Sequence, residues 1–466
     1  MKKKKSQKKL WGGRFRKELD RAAKDFSYSL AVDKELFSYD IKTSIAHVKT
    51  LARAKILKVG EVKRLIRGLQ WVEKHLRGKD LSKFYKDTED IHTLIQNTLE
   101  KKIGVLAGKL HTARSRNDQV ITSTKLYLKD KISVVIGKIT NYQKALLSLA
   151  KKGEGIAIPG YTHLQHAQIV LFAHHLLSYV AMAQRDKERL QDTLKRIDEL
   201  PLGAGALAGL SFPIDRMYTA KILGFSKVSD NSLDAVSSRD YIVETLSHIA
   251  VLFMHFSRLS EDFILWSSQE FGFVEIPDEF ATGSSIMPHK KNADLLELIR
   301  GRAGKAFGNL VSLLVTMKGL PSAYNRDMQE DKEPLFSSIK LASDALDILS
   351  KMVPQIGINK NRCMIASSNS YLYATDLMDH LVKQGVSLGD AHSLVGQIVL
   401  YALEKGKDLS KVSLKELKKF SNFFDIELSR FLKPEQSLAK RKTYGSTNPR
   451  MVKKMIQKWQ MRLRKK

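Results

Sequence analysis

Two long segments of this chain contain neither proline nor glycine, and this feature restricts its fold more than any other. They run from Gln168 to Leu200 and from Arg239 to Phe271, and their apolar residues recur at helical rather than alternating spacing. A helix of about 33 residues is ~50 Å long, at a rise of ~1.5 Å per residue. Rods of this length need other helices to cover their apolar faces. The sequence therefore predicts a mostly α fold with a central bundle of long helices.

Two further helices show the same periodicity, over Lys131–Ala150 and Leu335–Met352. In the first, one stripe of the helix carries the apolar residues Ile132, Val135, Ile136, Ile139, Tyr142, Leu146 and Leu149. No run of alternating β-branched residues bounded by turn signals competes with these helices.

The chain has 466 residues, which is too long for one simple core. Three polar loops interrupt the helical pattern, at Leu110–Gln119, Ile158–Gln168 and Phe280–Asp294. We predict three domains: a mostly helical N-terminal domain at 1–115, a long-helix bundle for oligomerisation at 116–364, and a small helical domain at 365–466.

The charge balance is strongly basic, because 79 lysines and arginines against 49 acidic residues give +30. Nucleic-acid binding is one interpretation, and a lysine-rich solvated surface with a basic tail at each end is the other. The lysines occur along every segment, and no stripe combines them with aromatic residues for base stacking. We therefore favour the second interpretation and expect no nucleic-acid partner.

Two features bear on the compartment. No stretch has the apolar length of a membrane span, and no apolar core follows the N-terminal lysines as it would in a signal peptide. We expect a cytoplasmic protein without a membrane partner. The single cysteine, Cys363, excludes an internal disulfide framework and a cysteine-based metal cluster.

The third loop carries residues suited to holding an anion. It reads Thr282-Gly-Ser-Ser-Ile-Met-Pro-His-Lys-Lys-Asn-Ala-Asp294 and combines two hydroxyls, backbone N–H groups and the Lys290 ammonium. An ordinary polar loop in which Asn292 or Asp294 caps the next helix is the alternative. The order of residue types resembles the signature loop of the fumarase/aspartase superfamily. That resemblance implies a three-domain fold around a long-helix bundle, and an elimination that produces fumarate.

Such an elimination removes a weakly acidic proton next to a carboxylate, so fixed donors must stabilise the resulting dianion. It also needs a base near that proton and an acid for the departing nitrogen. A serine is a base only if its alkoxide is stabilised by N–H groups and a cation. Ser284, close in sequence to Lys290, meets that requirement.

The second loop reads Ile158-Pro-Gly-Tyr-Thr-His-Leu-Gln-His-Ala-Gln168 and is predicted to place a hydroxyl and an imidazole at the start of a long helix. A lone histidine is more often structural than catalytic. His163 and His166 could also suggest a metal, but matching ligands are absent from the pattern, so we predict no metal site. The superfamily resemblance implies that Thr162 binds substrate and that His163 transfers protons, with Glu297 orienting it.

The first loop, His111-Thr-Ala-Arg-Ser-Arg-Asn-Asp-Gln119, narrows the resemblance. Paired arginines suit carboxylate binding, although a solvated turn is the alternative. The string is similar to that of argininosuccinate lyases, and so are the segments 10–15, 25–30, 88–93 and 320–333. The resemblance covers 10–444 and implies these substrate-binding residues: Ser29, Asp90, His92, Arg116, Asn117, Thr162, Ser285, Lys290, Asn292, Tyr324, Gln329 and Lys332.

The chain departs from this pattern at several positions. Ala113 stands where glycine is usual, so any positive φ there would be strained by a side chain. His289, Ala293 and His166 replace a glutamine, a proline and an arginine. The glycine-rich run Gly203–Gly209 resembles a dinucleotide fingerprint, but its spacing is one residue too long, and we expect it to follow a helix and Pro201 rather than a strand.

The resemblance implies reversible cleavage of argininosuccinate to fumarate and arginine in arginine biosynthesis, without a metal or organic cofactor. Ser284 is the expected base and His163 the expected acid, although the reverse assignment fits the same residues. The resemblance also implies a homotetramer whose sites combine loops from different subunits. The competing hypotheses are a sister lyase acting on adenylosuccinate, a non-enzymatic structural protein of the same fold, and a nucleic-acid binder.

Overall fold

A computed structural model describes residue 14 and residues 17–81, 83–84 and 88–464 of the chain. The segment 10–15, similar to argininosuccinate lyases, therefore lies outside the described residues apart from Arg14. The contacts divide the chain into two compact units. The first, called unit 1 below, comprises 1–131, 194–242 and 313–336, and unit 2 comprises 132–193, 243–312 and 337–466. The division into three domains stays a prediction.

Helices account for most of the described residues. The α-helices are α1 Arg21–Ser27, α2 Leu30–Asp33, α3 Phe37–Arg53, α4 Val59–Leu76, α5 Ile91–Ile103, α6 Arg116–Lys152, α7 Phe172–Ile197, α8 Arg216–Leu223, α9 Ser232–Ser237, α10 Asp240–Ser267, α11 Asp294–Met317, α12 Lys332–Met352, α13 Lys360–Ser367, α14 Ala374–Lys383, α15 Leu388–Glu404, α16 Leu414–Leu417, α17 Leu428–Phe431, α18 Pro434–Lys440 and α19 Pro449–Arg464. Short 3-10 helices cover Lys34–Leu36, Gly104–His111, Asp278–Phe280, Arg326–Asp331, Val353–Gln355, Ser370–Tyr373 and Leu409–Lys411.

The long helices predicted from periodicity are present as α6, α7, α10 and α12. Along α6 the predicted apolar stripe is buried except at Ile136, which is half-buried. Within unit 2 this helix packs edge-to-face through Tyr142 on Phe256 of α10, with ring centroids 5.5 Å apart. Its Gln143 Nε2 donates to the carbonyl of Val180 on α7 at 3.2 Å. Each fully buried apolar side chain of this kind stabilises the bundle by ~1.5–3 kcal/mol.

Among the residues described above, the strands are short and pair as four two-stranded sheets. Their bounds are β1 Ala157–Thr162, β2 Gln165–Leu171, β3 Glu199–Leu200, β4 Lys227–Val228, β5 Val274–Glu275, β6 Thr282–Gly283, β7 Lys291–Asn292 and β8 Gly357–Ile358. β3 and β4 are parallel, whereas β1–β2, β5–β8 and β6–β7 are antiparallel. The hairpin β1–β2 was not predicted, and because of it α7 begins at Phe172 rather than Gln168.

In unit 1 the helices α4 and α5 pack closely at a glycine. A Cβ on Gly68 would lie 2.6 Å from a methyl carbon of Leu99, so no larger residue fits without movement. None of the helices in the described part of the chain is both long and apolar enough to cross a membrane.

Candidate active site

Unit 1 contains a cavity of about 530 Å³ that gathers residues from distant parts of the sequence. Eight of the predicted substrate-binding residues line it: Ser29, Asp90, His92, Arg116, Asn117, Tyr324, Gln329 and Lys332. The other lining residues are Asp33, Glu89, His111, Arg114, Val120 and Arg326. The cavity therefore combines guanidinium and ammonium groups with several carboxylates, which suits a ligand that carries both signs of charge.

Arg116 is held in this cavity by the start of α5. Its guanidinium forms an ion pair with Asp90 and donates to Thr93 Oγ1 at 3.2 Å. Asp90 is also the N-cap of α5 and accepts from Thr93 N at 2.6 Å. Burial opposes the charge on Arg116, but the adjacent Asp90 carboxylate raises its pKa overall. The arginine is thus a fixed cation at the wall of the cavity.

His92 contacts a buried carboxylate on the neighbouring helix α3. Its Nδ1 lies 2.9 Å from Asp40 Oδ1, and both side chains are buried. Asp40 also accepts from Gln119 Nε2 at 2.7 Å. Burial would raise the pKa of Asp40, but the nearby His92 and Arg114 lower it to about 2. The Asp40 carboxylate therefore stays ionised and lies close to the His92 ring at the edge of the cavity.

Asp118 fastens the first loop to the glycine-rich run. Its Oδ2 accepts from the N–H groups of Gly203 and Gly205, each at 2.9 Å, and its Oδ1 accepts from Ser115 N at 3.1 Å. Asn117 Nδ2 donates to Ala206 O at 3.0 Å. The run does follow a short strand, β3, but α8 begins only at Arg216. The run therefore binds the first loop through its backbone groups and does not form the strand–turn–helix of a dinucleotide site.

In the first loop, Ala113 does adopt a positive φ, of 55°, and it is buried. For a residue with a side chain this left-handed conformation is strained, so the loop is held by its surroundings.

Ser29 and Lys332, which also line the cavity, both contact carboxylates. Ser29 Oγ donates to Asp33 Oδ2 at 2.6 Å, and Lys332 Nζ donates to Asp331 Oδ1 at 2.7 Å. Burial raises the pKa of Asp33 to about 6, and the neighbouring Asp90 adds to the effect.

In unit 2, Thr162 and His163 lie at the tip of the hairpin β1–β2. The expectation that they begin a helix is wrong, because Thr162 pairs with Gln165 across a two-residue turn. His163 and Leu164 form that turn with φ of 55° and 57°. Both residues are exposed, so the imidazole projects from the hairpin into solvent in the single chain.

The third loop, also in unit 2, is closed by the two-residue ladder β6–β7. Ser284 Oγ accepts from the N–H groups of Ile286 at 3.3 Å and Met287 at 3.1 Å. This is the arrangement of loop amides that a serine alkoxide requires. Asn292 Nδ2 donates to Gly283 O at 3.4 Å, across the ladder.

Ser285 and Lys290 are exposed on the same loop, and Lys290 has no ion-pair partner among the residues that the structure describes. Glu297 is exposed on the first turn of α11. Within the described part of unit 2, no hydrogen bond or ion pair joins His163 to Glu297 or to Ser284. The described contacts of one chain therefore do not assemble these three groups.

The sequence was compared with family profiles and with known proteins. A lyase family profile matches residues 13–308, and an argininosuccinate lyase C-terminal profile matches residues 371–439. An argininosuccinate lyase of Sulfurihydrogenibium sp. is 46% identical over 459 residues, covering 98% of this chain and 100% of that protein. One of Aquifex aeolicus is 46% identical over 450 residues, covering 96% and 98%. The chain belongs to the argininosuccinate lyase family.

Solved structures agree with this family at the level of the fold. An EDDS lyase in complex with formate superposes with a TM-score of 0.85 at 28% identity, covering 93% of this chain and 87% of that one. A class II fumarase from Schistosoma mansoni gives a TM-score of 0.73 at 16% identity, covering 86% and 90%. The predicted mostly α, fumarase/aspartase-like fold is therefore confirmed.

Sequence reasoning missed several cavity residues of this argininosuccinate lyase family member. Glu89 and Arg326 lie inside segments that were quoted for the resemblance, but nothing in the pattern distinguished them from their neighbours. Arg114 was noted only as one of the paired arginines of the first loop and was not assigned to the site. Asp33 carries one usable signal, its spacing of four residues from Ser29 on a short helix. Their roles depend on tertiary contacts that the sequence does not display.

Proposed function

We propose that this chain cleaves argininosuccinate to fumarate and L-arginine, reversibly, in arginine biosynthesis. The observation that carries the proposal is the mixed-charge cavity of unit 1 in a chain 46% identical to known argininosuccinate lyases over nearly its whole length. Argininosuccinate carries three carboxylates, an ammonium and a guanidinium. The cations Arg116 and Lys332 suit the carboxylates, and the acids Asp33 and Asp90 suit the cationic groups.

Ser284 is proposed as the base that removes the proton next to the succinyl carboxylate. Two loop amides point at its Oγ, so they would stabilise the alkoxide before substrate arrives. Lys290 on the same loop supplies the nearby cation, and closure of the loop over substrate would exclude water. His163 is proposed as the acid for the leaving guanidine, with Glu297 orienting it. The reverse assignment of base and acid fits the same two residues.

The remaining residues are assigned to the two parts of the substrate, the succinyl part and the arginine part. We propose that Arg116, Asn117, Thr162, Ser285, Lys290 and Asn292 hold the succinyl carboxylates. Ser29, Tyr324, Gln329 and Lys332 would hold the arginine part, with Asp90 and His92 lining the site.

We propose that the active form is a homotetramer whose sites combine residues from different subunits. His163, Ser285 and Lys290 are exposed in the single chain, where solvent would weaken every electrostatic contact to substrate. One face of α11 supports a packed interface, because Phe307 and Val311, four residues apart, are both exposed on it. On the same helix, Gly301, Gly304 and Gly308 have open space where a Cβ would be, which allows close approach of another helix.

We also propose that the enzyme works in the cytoplasm without metal or organic cofactor, and that its basic surface is not a nucleic-acid site. The elimination described above uses only side chains and backbone amides of the chain itself.

The direct experiment is to mix purified protein with argininosuccinate and to follow fumarate by its ultraviolet absorbance. Adenylosuccinate serves as the matched alternative substrate. We expect fumarate from argininosuccinate, with adenylosuccinate slower by at least ~100-fold, because a site that pairs a guanidinium rejects a ligand lacking it. Fumarate from adenylosuccinate alone, or from neither compound, would reject the proposal.

A further inference from the structure

Three chain segments meet at the Tyr324 side of the unit 1 cavity: residues 27–29, Glu89, and the 3-10 helix Arg326–Asp331 with the turn before it. Arg326 connects them. Its Nη2 donates to Ser27 O at 2.7 Å, and both Nη1 and Nη2 lie 3.3 Å from Glu89 Oε1. One guanidinium therefore binds the other two segments at once.

Other bonds complete the connection between these segments. Ser29 N donates to Glu89 O at 2.8 Å, and Gln329 Nε2 donates to Ser27 O at 3.2 Å. Ser29 Oγ, which faces the cavity, is in turn bound to Asp33. The position of Ser29 thus depends on the residues that hold Ser27 and Glu89, and Arg326 makes side-chain bonds to both.

We propose that Arg326 is a positioning residue that fixes residues 27–29 and Glu89 at the edge of the cavity, so that Ser29 and Gln329 are ready for the arginine part of the substrate. This rests on the proposed lyase function. The guanidinium suits the task because its planar fork reaches two acceptors in fixed directions, whereas a lysine offers a single ammonium. Three of its five N–H groups donate to Ser27 and Glu89, so most of its hydrogen-bonding capacity holds protein segments in place.

Binding rather than chemistry should depend on Arg326. Its contacts lie around the proposed arginine part of the substrate, which is held similarly before and during proton transfer. Removing such contacts raises KM and leaves kcat nearly unchanged. We expect Arg326→Gln to raise KM for argininosuccinate by ~5–20-fold with kcat within about twofold, the range of a lost charge-assisted hydrogen bond.

The test compares Arg326→Gln, Glu89→Gln and the double variant, with Arg77→Gln as a matched control. Arg77 also forms an exposed ion pair in unit 1, with Glu73 at 2.7 Å, and lies outside the cavity lining. We expect Glu89→Gln to raise KM in the same direction but less, because the Ser27 bond remains. The double variant should resemble Arg326→Gln alone, because both changes break one connection. Arg77→Gln should leave both constants unchanged.

Amide hydrogen exchange supplies a readout that does not need turnover. The Ser29 N–H donates to Glu89 O, so its exchange should be at least ~10-fold faster in Arg326→Gln than in the parent chain. If the parent chain releases no fumarate, this measurement still decides on Arg326, and the failure belongs to the proposed lyase function. Unchanged Ser29 exchange would overturn the proposal. A lower kcat at constant KM in Arg326→Gln would also overturn it. So would a constant or lower KM in Glu89→Gln, because that result is expected if Arg326 bound substrate directly.

Discussion

Replacing Asp118 tests the account of how the first loop is held. Its carboxylate accepts three backbone N–H groups, from Ser115, Gly203 and Gly205. In Asp118→Ala these donors lose their acceptor, at ~1–3 kcal/mol each. Burial raises the pKa of Asp118 to about 6, so keeping its carboxylate ionised at pH 7 lowers the free energy of unfolding by ~3 kcal/mol. A replacement without the charge regains that amount. The net expectation is that Asp118→Ala unfolds with ~3 kcal/mol less free energy than the parent chain.

Asp118→Asn is the matched control, because it keeps the shape of the side chain. Its single oxygen can accept from both Gly203 and Gly205, as Oδ2 does now, and only the Ser115 N–H loses its acceptor. Because it also has no buried charge, the free energy of unfolding of this variant should be within ~1 kcal/mol of that of the parent chain. Equilibrium urea unfolding at pH 7, followed by tryptophan fluorescence, measures both. An alanine variant as stable as the asparagine variant would refute the reasoning.

Three other outcomes are expected. The folded chain holds the Asp118 proton up to its pKa of about 6, whereas an unfolded carboxyl releases it near its ordinary value of 3.8. This group therefore lowers the free energy of unfolding by ~3 kcal/mol as pH rises from 4 to 6, and urea titrations should show a flatter profile in Asp118→Asn. Leu164→Asn should raise the melting temperature, because Leu164 is exposed with φ 57° and asparagine tolerates that conformation better, which adds ~0.5–1 kcal/mol to the free energy of unfolding. A lower melting temperature would contradict the strained turn. Val311→Glu should dissociate the proposed tetramer in sedimentation velocity and abolish activity, because the charge would be buried between subunits; an intact tetramer would contradict the α11 interface.

Local periodicity was sufficient for the long helices. Along α6 the apolar stripe repeats with the period of the helix, and packing on α7 and α10 buries it. The hairpin β1–β2 was missed because its turn, His163-Leu164, contains neither glycine nor asparagine, the usual residues for two positive φ angles. Its pairing is enforced by surroundings that no local pattern records.

The residues that line the cavity could be predicted only through the resemblance to argininosuccinate lyases. Segments around Asp90, Arg116 and Tyr324 are far apart in sequence, and spacing alone gives no reason for them to meet. Contacts such as Asp118 to Gly203, 85 positions apart, depend on the tertiary fold. By contrast, the sequence did mark Ala113 as a position to watch, because alanine stands there where the family pattern has glycine, and its φ is indeed positive.

Fumarate release by Ser284→Ala and His163→Asn, each compared with the parent chain, tests the central claim most directly. His289→Asn is the matched control, because His289 is also an exposed histidine and lies on the third loop with Ser284. The account predicts that kcat falls by at least ~100-fold in each of the first two variants, the usual loss for a general acid or base, and stays within about twofold in the control. Rates close to those of the parent chain in both Ser284→Ala and His163→Asn would contradict it.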